Sequence, residues 1–219
     1  MFSTSDIIYY LLFITAMTLS FIASKANIKG LIYLRVLFIV GLCTELIVDI
    51  TDFYEVPLHN ILYYIYIPFE YIILSTFLKK YVKTKRLHLI MTYALFIYTF
   101  LVIYFTFFYY EIENDYPGII YNIGCVFLII WTSVLLFNLE FKEDMKLFQI
   151  PFFWICTAMI IFYSGVFLYN GFYNYLLEEK TELASKLRLL VNLNLNYLFY
   201  ILMSYAFICS IRQKKYFIR

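Results

Sequence analysis

An all-α, polytopic membrane protein of seven transmembrane helices in one bundle is the fold class this sequence predicts. Three observations predict it. Of the 219 residues, 64% are hydrophobic, against roughly half in an ordinary soluble domain, and no soluble core of this size could hide that much apolar surface. The apolar residues fall into seven runs, each near the ~20 residues that cross a hydrocarbon core about 30 Å thick as a helix. Finally, lysine and arginine concentrate in alternate connections between those runs.

The runs follow in order. Ile7–Ala23 has only Asp6 as an early charge. A cleavable signal needs a basic start, so this run reads as the first span. Gly30–Ile50, Asn60–Leu78, Leu87–Tyr110, Gly118–Leu139, Phe152–Leu176 and Leu189–Ile211 read as the other six. The gaps "SKANIKG", "TDFYEVPLHN", "KKYVKTKR", "EIENDYP", "EFKEDMK" and "LEEKTELASKLR" each hold charges or turn formers. None is long enough for an extramembrane domain, so a single domain is expected over 1–219. The 24 Tyr and 24 Phe residues suit helices whose ends reach the interfacial belts.

Orientation follows from the short loops. Lys25, Lys29, Lys79, Lys80, Lys83, Lys85, Arg86, Lys142, Lys146, Arg212, Lys214, Lys215 and Arg219 lie in one alternate set, and only Lys180, Lys186 and Arg188 in the other. The first set is expected in the cytoplasm, which puts the N-terminus outside and the C-terminus inside. The cluster Lys79, Lys80, Lys83, Lys85 and Arg86 becomes the candidate inner contact for a partner or for anionic lipid, beyond its part in setting topology.

Polar residues within the spans are the candidate site. By helical rise, Glu45 stands about 22 Å up from the inner side and Asp49 one turn further, near the interface. Arg35, about 8 Å in, is able to snorkel back to the inner surface. Glu70 lies about 15 Å deep, at mid-membrane, where an unpaired carboxylate costs about 2.5–3.5 kcal/mol or more. Asn60, Tyr63, Ile67 and Glu70 form one stripe, bordered by Tyr66, and Pro68 frees a backbone carbonyl nearby. In "NLNLNY", Asn192 and Asn196 share a face and Asn194 points away. Asn122 and Asn170 belong to the same outer half. Facing lipid is the expensive option for such groups. Glu45, Glu70, Tyr63, Tyr66, Asn122, Asn192 and Asn196 are therefore expected to line a polar pocket near the exterior. The bland alternative is interhelical glue, worth about 0.6–2 kcal/mol per contact.

Several chemistries are excluded. A net charge of +2 leaves no footprint for nucleic acid. Cys43, Cys125, Cys156 and Cys209 are widely spaced with no CxxC pair, so neither a metal knuckle nor a disulfide framework is indicated. The seventh run has no lysine for a retinal Schiff base. His59 and His88 fall at opposite surfaces and cannot share a metal. No GxSxG, HExxH or Gly-rich phosphate loop occurs, and the aspartates lie at span ends or in loops. No enzyme activity, metal or cofactor is expected.

At "TELIVDITDFY", "HNILYYIYIPFEYIIL", "FFWICTAMIIFYSGVFLY" and "LNLNYLFYILMSYAF" the chain resembles a family of small, mostly uncharacterised bacterial membrane proteins with seven predicted helices. These look like stand-alone versions of the seven-helix modules attached to bacterial sensor kinases. The resemblance implies residence in the bacterial inner membrane and signalling to a separate cytoplasmic partner, since no output domain is present.

Three functional readings follow. The first is a sensor or receptor-like module with an exterior-facing polar pocket. The second is an ion channel or transporter, as a single chain or an oligomer, with Glu45 and Glu70 on its path. The third is an accessory pore or membrane effector of a bacterial defence system. The bilayer is the expected partner in each, and a homo-oligomer is left open. A conduction path needs polarity in both halves, and Arg35 and Asn138 are the few inner candidates, which favours the pocket.

Overall fold

The computed structural model describes residues 4–25, 27–54, 56, 59–110, 112, 116–139, 146–179 and 181–217, without the side chains at 59, 173–179, 181–190, 192 and 214–217. Seven α-helices follow one another: α1 (Thr4–Ile22), α2 (Leu31–Phe53), α3 (His59–Lys79), α4 (Lys85–Phe108), α5 (Gly118–Phe137), α6 (Pro151–Glu179) and α7 (Thr181–Phe217). A short 3-10 turn, Leu147–Gln149, precedes α6. No strand occurs among the described residues. All seven helices contain a stretch long and apolar enough to cross a membrane.

The first six helices match the expected spans to within three residues at each end. The seventh does not. It begins at Thr181 rather than Leu189 and runs on to Phe217, although its spanning stretch is Leu193–Gln213. Its 37 residues make about 55 Å of helix, well beyond a core of about 30 Å. The reason lies in the sequence "TELASKLR". Charge ends an apolar run, but Glu, Leu, Ala, Lys and Arg are strong helix formers, so charge does not end the helix. Proline is compatible with the first turn of α6, where its missing N–H would have had no helical partner.

Six helices close into a ring in the order α1, α2, α3, α5, α6, α7 and back to α1, and α4 packs outside it across α3 and α5. The outward faces are apolar. On α4 they present Phe96, Ile97, Phe100, Ile103 and Phe107. An apolar exterior of this extent is expected of a chain surrounded by lipid rather than water.

The end of the bundle that carries the lysines is tied together by side chains bonding to backbone. Arg35 of α2 donates from Nε to the Ser20 carbonyl at 3.0 Å and from Nη2 to those of Phe21 and Ala23, each at 3.2 Å. These are carbonyls at the end of α1, where the helix has no internal donors left and carries partial negative charge. The guanidinium also lies over the Phe21 ring at 5.4 Å. Thus Arg35 serves the end of a neighbouring helix instead of reaching for solvent. Asn27 Nδ2 donates to the Ser210 carbonyl at 2.8 Å, and Trp154 Nε1 to that of Phe148 at 2.8 Å. The Tyr81 ring stacks on Phe152 with centroids 3.6 Å apart. Burial there pushes the Tyr81 phenol up, with a partial offset from the Lys29 backbone. This phenol is therefore neutral beside the lysines at physiological pH.

Candidate functional site

At the other half of the ring, polar groups point inward and meet one another. Glu70 of α3 is buried, and its Oε1 accepts a hydrogen bond from the Tyr163 hydroxyl of α6 at 2.8 Å. Glu45 of α2 is close enough for its charge to act on Glu70. Tyr66, one turn before Glu70, feels both carboxylates. The Tyr66 hydroxyl rests against Gly41 of α2, 3.3 Å from where a Cβ would stand, so glycine leaves the room that this phenol occupies. Tyr9 of α1 and Tyr200 of α7 bring their hydroxyls to 3.4 Å from each other. Tyr200 also feels Tyr66, Glu45 and Glu70. Tyr121 of α5 also feels Glu70, whereas Tyr98 of α4 lies against the Tyr71 ring at 4.0 Å with its hydroxyl on Gly124 of α5. Each of the six ring helices sends a carboxylate or a phenol to this centre.

Glu45, Tyr66 and Tyr121 are partly exposed, whereas Glu70, Tyr163 and Tyr200 are buried. Asn196 is one turn before Tyr200 on the same face of α7 and Asn170 two turns after Tyr163 on the same face of α6, both toward the outer end, whereas Asn122 adjoins Tyr121 at the depth of the centre. The Asn122 Oδ1 and Asn170 Nδ2 atoms are buried without a hydrogen-bond partner, which for an amide costs free energy unless another group arrives.

Below Glu70 the interior changes character. Phe13 stacks on Tyr200 at 4.6 Å, and Phe38 meets Phe13 at 6.0 Å and Phe207 at 5.9 Å, both edge-on. Leu34, Leu74, Phe77, Leu78, Ile155 and Met203 fill the rest, all buried. The polar centre has an apolar floor. Beside Ser20 and Ser210 at the end of the bundle, Tyr71, Ser75, Trp131 and Thr132 are buried polar exceptions. These four sit off the axis, between α3 and α5, and the Tyr71 hydroxyl, Ser75 Oγ, Trp131 Nε1 and Thr132 Oγ1 are buried without a hydrogen-bond partner.

Of the residues singled out in the sequence, Glu45, Glu70 and Tyr66 come together at the centre. Tyr63 is next to it, feeling Tyr66 and touching the Tyr116 ring edge-on at 5.7 Å. Asn196 lies one turn outward of Tyr200, Asn122 lies beside Tyr121, and Asn194 is exposed, as the helical spacing implies. The side chain of Asn192 lies outside the described residues, as does that of His59. Asp49 is engaged by α1, accepting from the Tyr10 hydroxyl at 2.5 Å. Among the basic residues, Lys79 donates to Thr92 Oγ1 at 2.7 Å and Lys80 lies over the Tyr33 ring at 5.7 Å. Lys83, Lys85 and Arg86 are exposed.

Sequence reasoning missed Tyr9, Tyr121, Tyr163 and Tyr200. A faint signal existed for two of them. Tyr200 continues the Asn192–Asn196 stripe at the next i+4 position, and Tyr163 shares a face with Asn170. No family model, curated protein or solved structure matches the chain.

Proposed function

We propose that the protein is a sensor- or receptor-like membrane module whose pocket opens toward the exterior and whose output goes to a separate cytoplasmic partner. In this reading the seven helices cross the inner membrane with Asn170 and Asn196 toward the outside and the Lys79–Arg86 face in the cytoplasm. The observation that carries it is the one-sided polarity. Carboxylates, phenols and amides gather in the outer half, while Phe38, Phe207, Leu74 and Phe77 close the axis toward the basic end. A conduction path needs groups to replace hydration along its whole length, whereas a receptor pocket needs them only where the ligand sits. Binding that draws the helices onto a ligand shifts their packing, and the basic face gives that shift a place to be read.

Ion flux tests this. Purified protein in proteoliposomes is expected to pass no H⁺, Na⁺ or K⁺ across a range of gradients. Flux that Glu45→Gln or Glu70→Gln abolishes would contradict the reading and make the carboxylates part of a conduction path.

A further inference from the structure

Lys79 and Lys80 are neighbours in the chain, yet they are held differently. Lys80 lays its ammonium over the Tyr33 ring at 5.7 Å. Lys79, the last residue of α3, is half-buried and donates from Nζ to Thr92 Oγ1 of α4 at 2.7 Å. The Thr92 hydroxyl in turn donates to the His88 carbonyl at 2.8 Å, so toward the ammonium it acts as an acceptor alone. Thr92 stands seven residues after Lys85, about 10 Å along α4. A lysine at the end of a span ordinarily snorkels outward to water. Lys79 turns back along the bundle instead, in the direction that helical side chains lean, and its ammonium rests between α3 and α4.

That ammonium has one neutral partner among the described residues, and an ammonium carries three hydrogens to donate. The adjoining helices offer it no counter-charge: α3 beyond Glu70, all of α4 and all of α5 contain neither Asp nor Glu. The surface beside it changes character along one line. Lys85 and His88 share the Thr92 face of α4, and both are exposed. Further along that face Phe96 and Ile103 are exposed as well, at 70% and 52%. One stripe of α4 therefore runs from cations to apolar side chains over the length of a span. A phospholipid has the same order, an anionic head followed by acyl chains. A soluble acidic partner matches the cations and has no use for the apolar stretch.

We propose that the corner of α3 and α4 is a site for an anionic phospholipid. Its phosphate is held by Lys79 from one side and by Lys85 and His88 from the other, and its chains lie along Phe96 and Ile103. The attraction is that of basic side chains for anionic headgroups at a membrane surface, given a fixed place by the bond from Lys79 to Thr92. The site goes beyond the receptor reading and does not depend on what the polar centre binds. Because α4 packs outside the ring, a lipid that bridges Lys79 to α4 braces that helix against α3.

Thermal unfolding in detergent micelles at constant ionic strength tests it. The probe is phosphatidylglycerol, with phosphatidylcholine, inorganic phosphate and polyglutamate as comparisons. Phosphatidylglycerol is expected to raise the midpoint saturably, by roughly 3–6 °C at a tenfold excess over its half-saturating mole fraction. Lys79→Met is expected to remove most of that shift, and Lys85→Gln provides the same test should the first variant fold poorly. Lys25→Gln, which takes one charge from another part of the basic end, is expected to keep it. The absence of a saturable shift, or an equal reduction in Lys79→Met and Lys25→Gln, would overturn the site and leave only a diffuse basic surface. An equal shift with phosphatidylcholine would overturn the anionic class, and one with inorganic phosphate would overturn the lipid. An equal shift with polyglutamate would assign the corner to an acidic protein partner instead.

Discussion

The two halves of the bundle use polar residues in opposite ways. At the basic end, polar side chains bond chiefly to backbone. Arg35, Asn27, Trp154 and Gln213 all end on carbonyls, and the axis between them is filled by Leu34, Phe77 and Phe207. At the acidic end, side chains meet side chains across helices: Tyr163 with Glu70, Tyr10 with Asp49, Tyr9 with Tyr200. The first pattern secures helix ends. The second gathers acids and phenols in the interior, and buried atoms without partners occur in both halves, at Asn122, Asn170 and Tyr98 and at Tyr71, Ser75, Tyr81, Trp131 and Thr132. Groups satisfied by their own backbone stabilise a fold. Groups left to satisfy one another incompletely are where a ligand adds most.

Substitutions that break this contrast should do so in a definite order. Arg35→Met removes three charge-assisted bonds from the end of α1. It is expected to destabilise most, by about 2–4 kcal/mol, read from unfolding in detergent. Glu70→Ala strands the Tyr163 hydroxyl and opens a void, for a loss of about 2–3 kcal/mol. Glu70→Gln keeps an acceptor for Tyr163 and should stay within about 1 kcal/mol of wild type. An equally large loss from the amide would mean that the carboxylate itself holds the fold. Gly41→Ala crowds the Tyr66 hydroxyl from the α2 side, and a loss of about 1–2 kcal/mol is expected. Tyr66→Phe should relieve much of it in the double variant, which makes the pair a direct check on where that hydroxyl sits. Lys83→Ser, on the exposed basic face, is expected to move stability by less than about 0.5 kcal/mol.

Much of this fold is legible from the ruler of ~20 apolar residues, because apolar length is all that membrane crossing demands of a helix. The same ruler fails at α7. Between Thr181 and Arg188 the charges of Glu182, Lys186 and Arg188 stop the run, but these residues are also helix formers, so the helix does not stop. Which face of a helix turns inward is harder to read. In water a polar face marks the outside, whereas α4 is apolar all round and its buried side, Met91, Ala94 and Tyr98, differs little from its exposed one. That is also why the place of α4 outside the ring is not visible in the sequence.

The site was half legible for a related reason. Glu45, Glu70 and the asparagines stand out because charges and amides are conspicuous in apolar runs. Tyrosine is not conspicuous among 24 copies, most of which suit an interfacial belt equally well. Tyr163 and Tyr200 become partners of the acids only through the crossing of α3, α6 and α7, and no local pattern encodes that crossing.

The central claim is that the polar centre is reached from one side and closed by the apolar floor on the other. Thiol accessibility in sealed, oriented vesicles tests it most directly, with single cysteines placed at Asn122, Leu74 and Phe77 in a background where Cys43, Cys125, Cys156 and Cys209 are replaced. A membrane-impermeant thiol reagent is expected to modify Asn122→Cys from the face opposite the Lys79–Arg86 cluster, and to leave Leu74→Cys and Phe77→Cys untouched from either side. Reaction of Leu74→Cys or Phe77→Cys from the basic side would mean that the axis is open below Glu70, and the pocket would have to be redrawn as a passage.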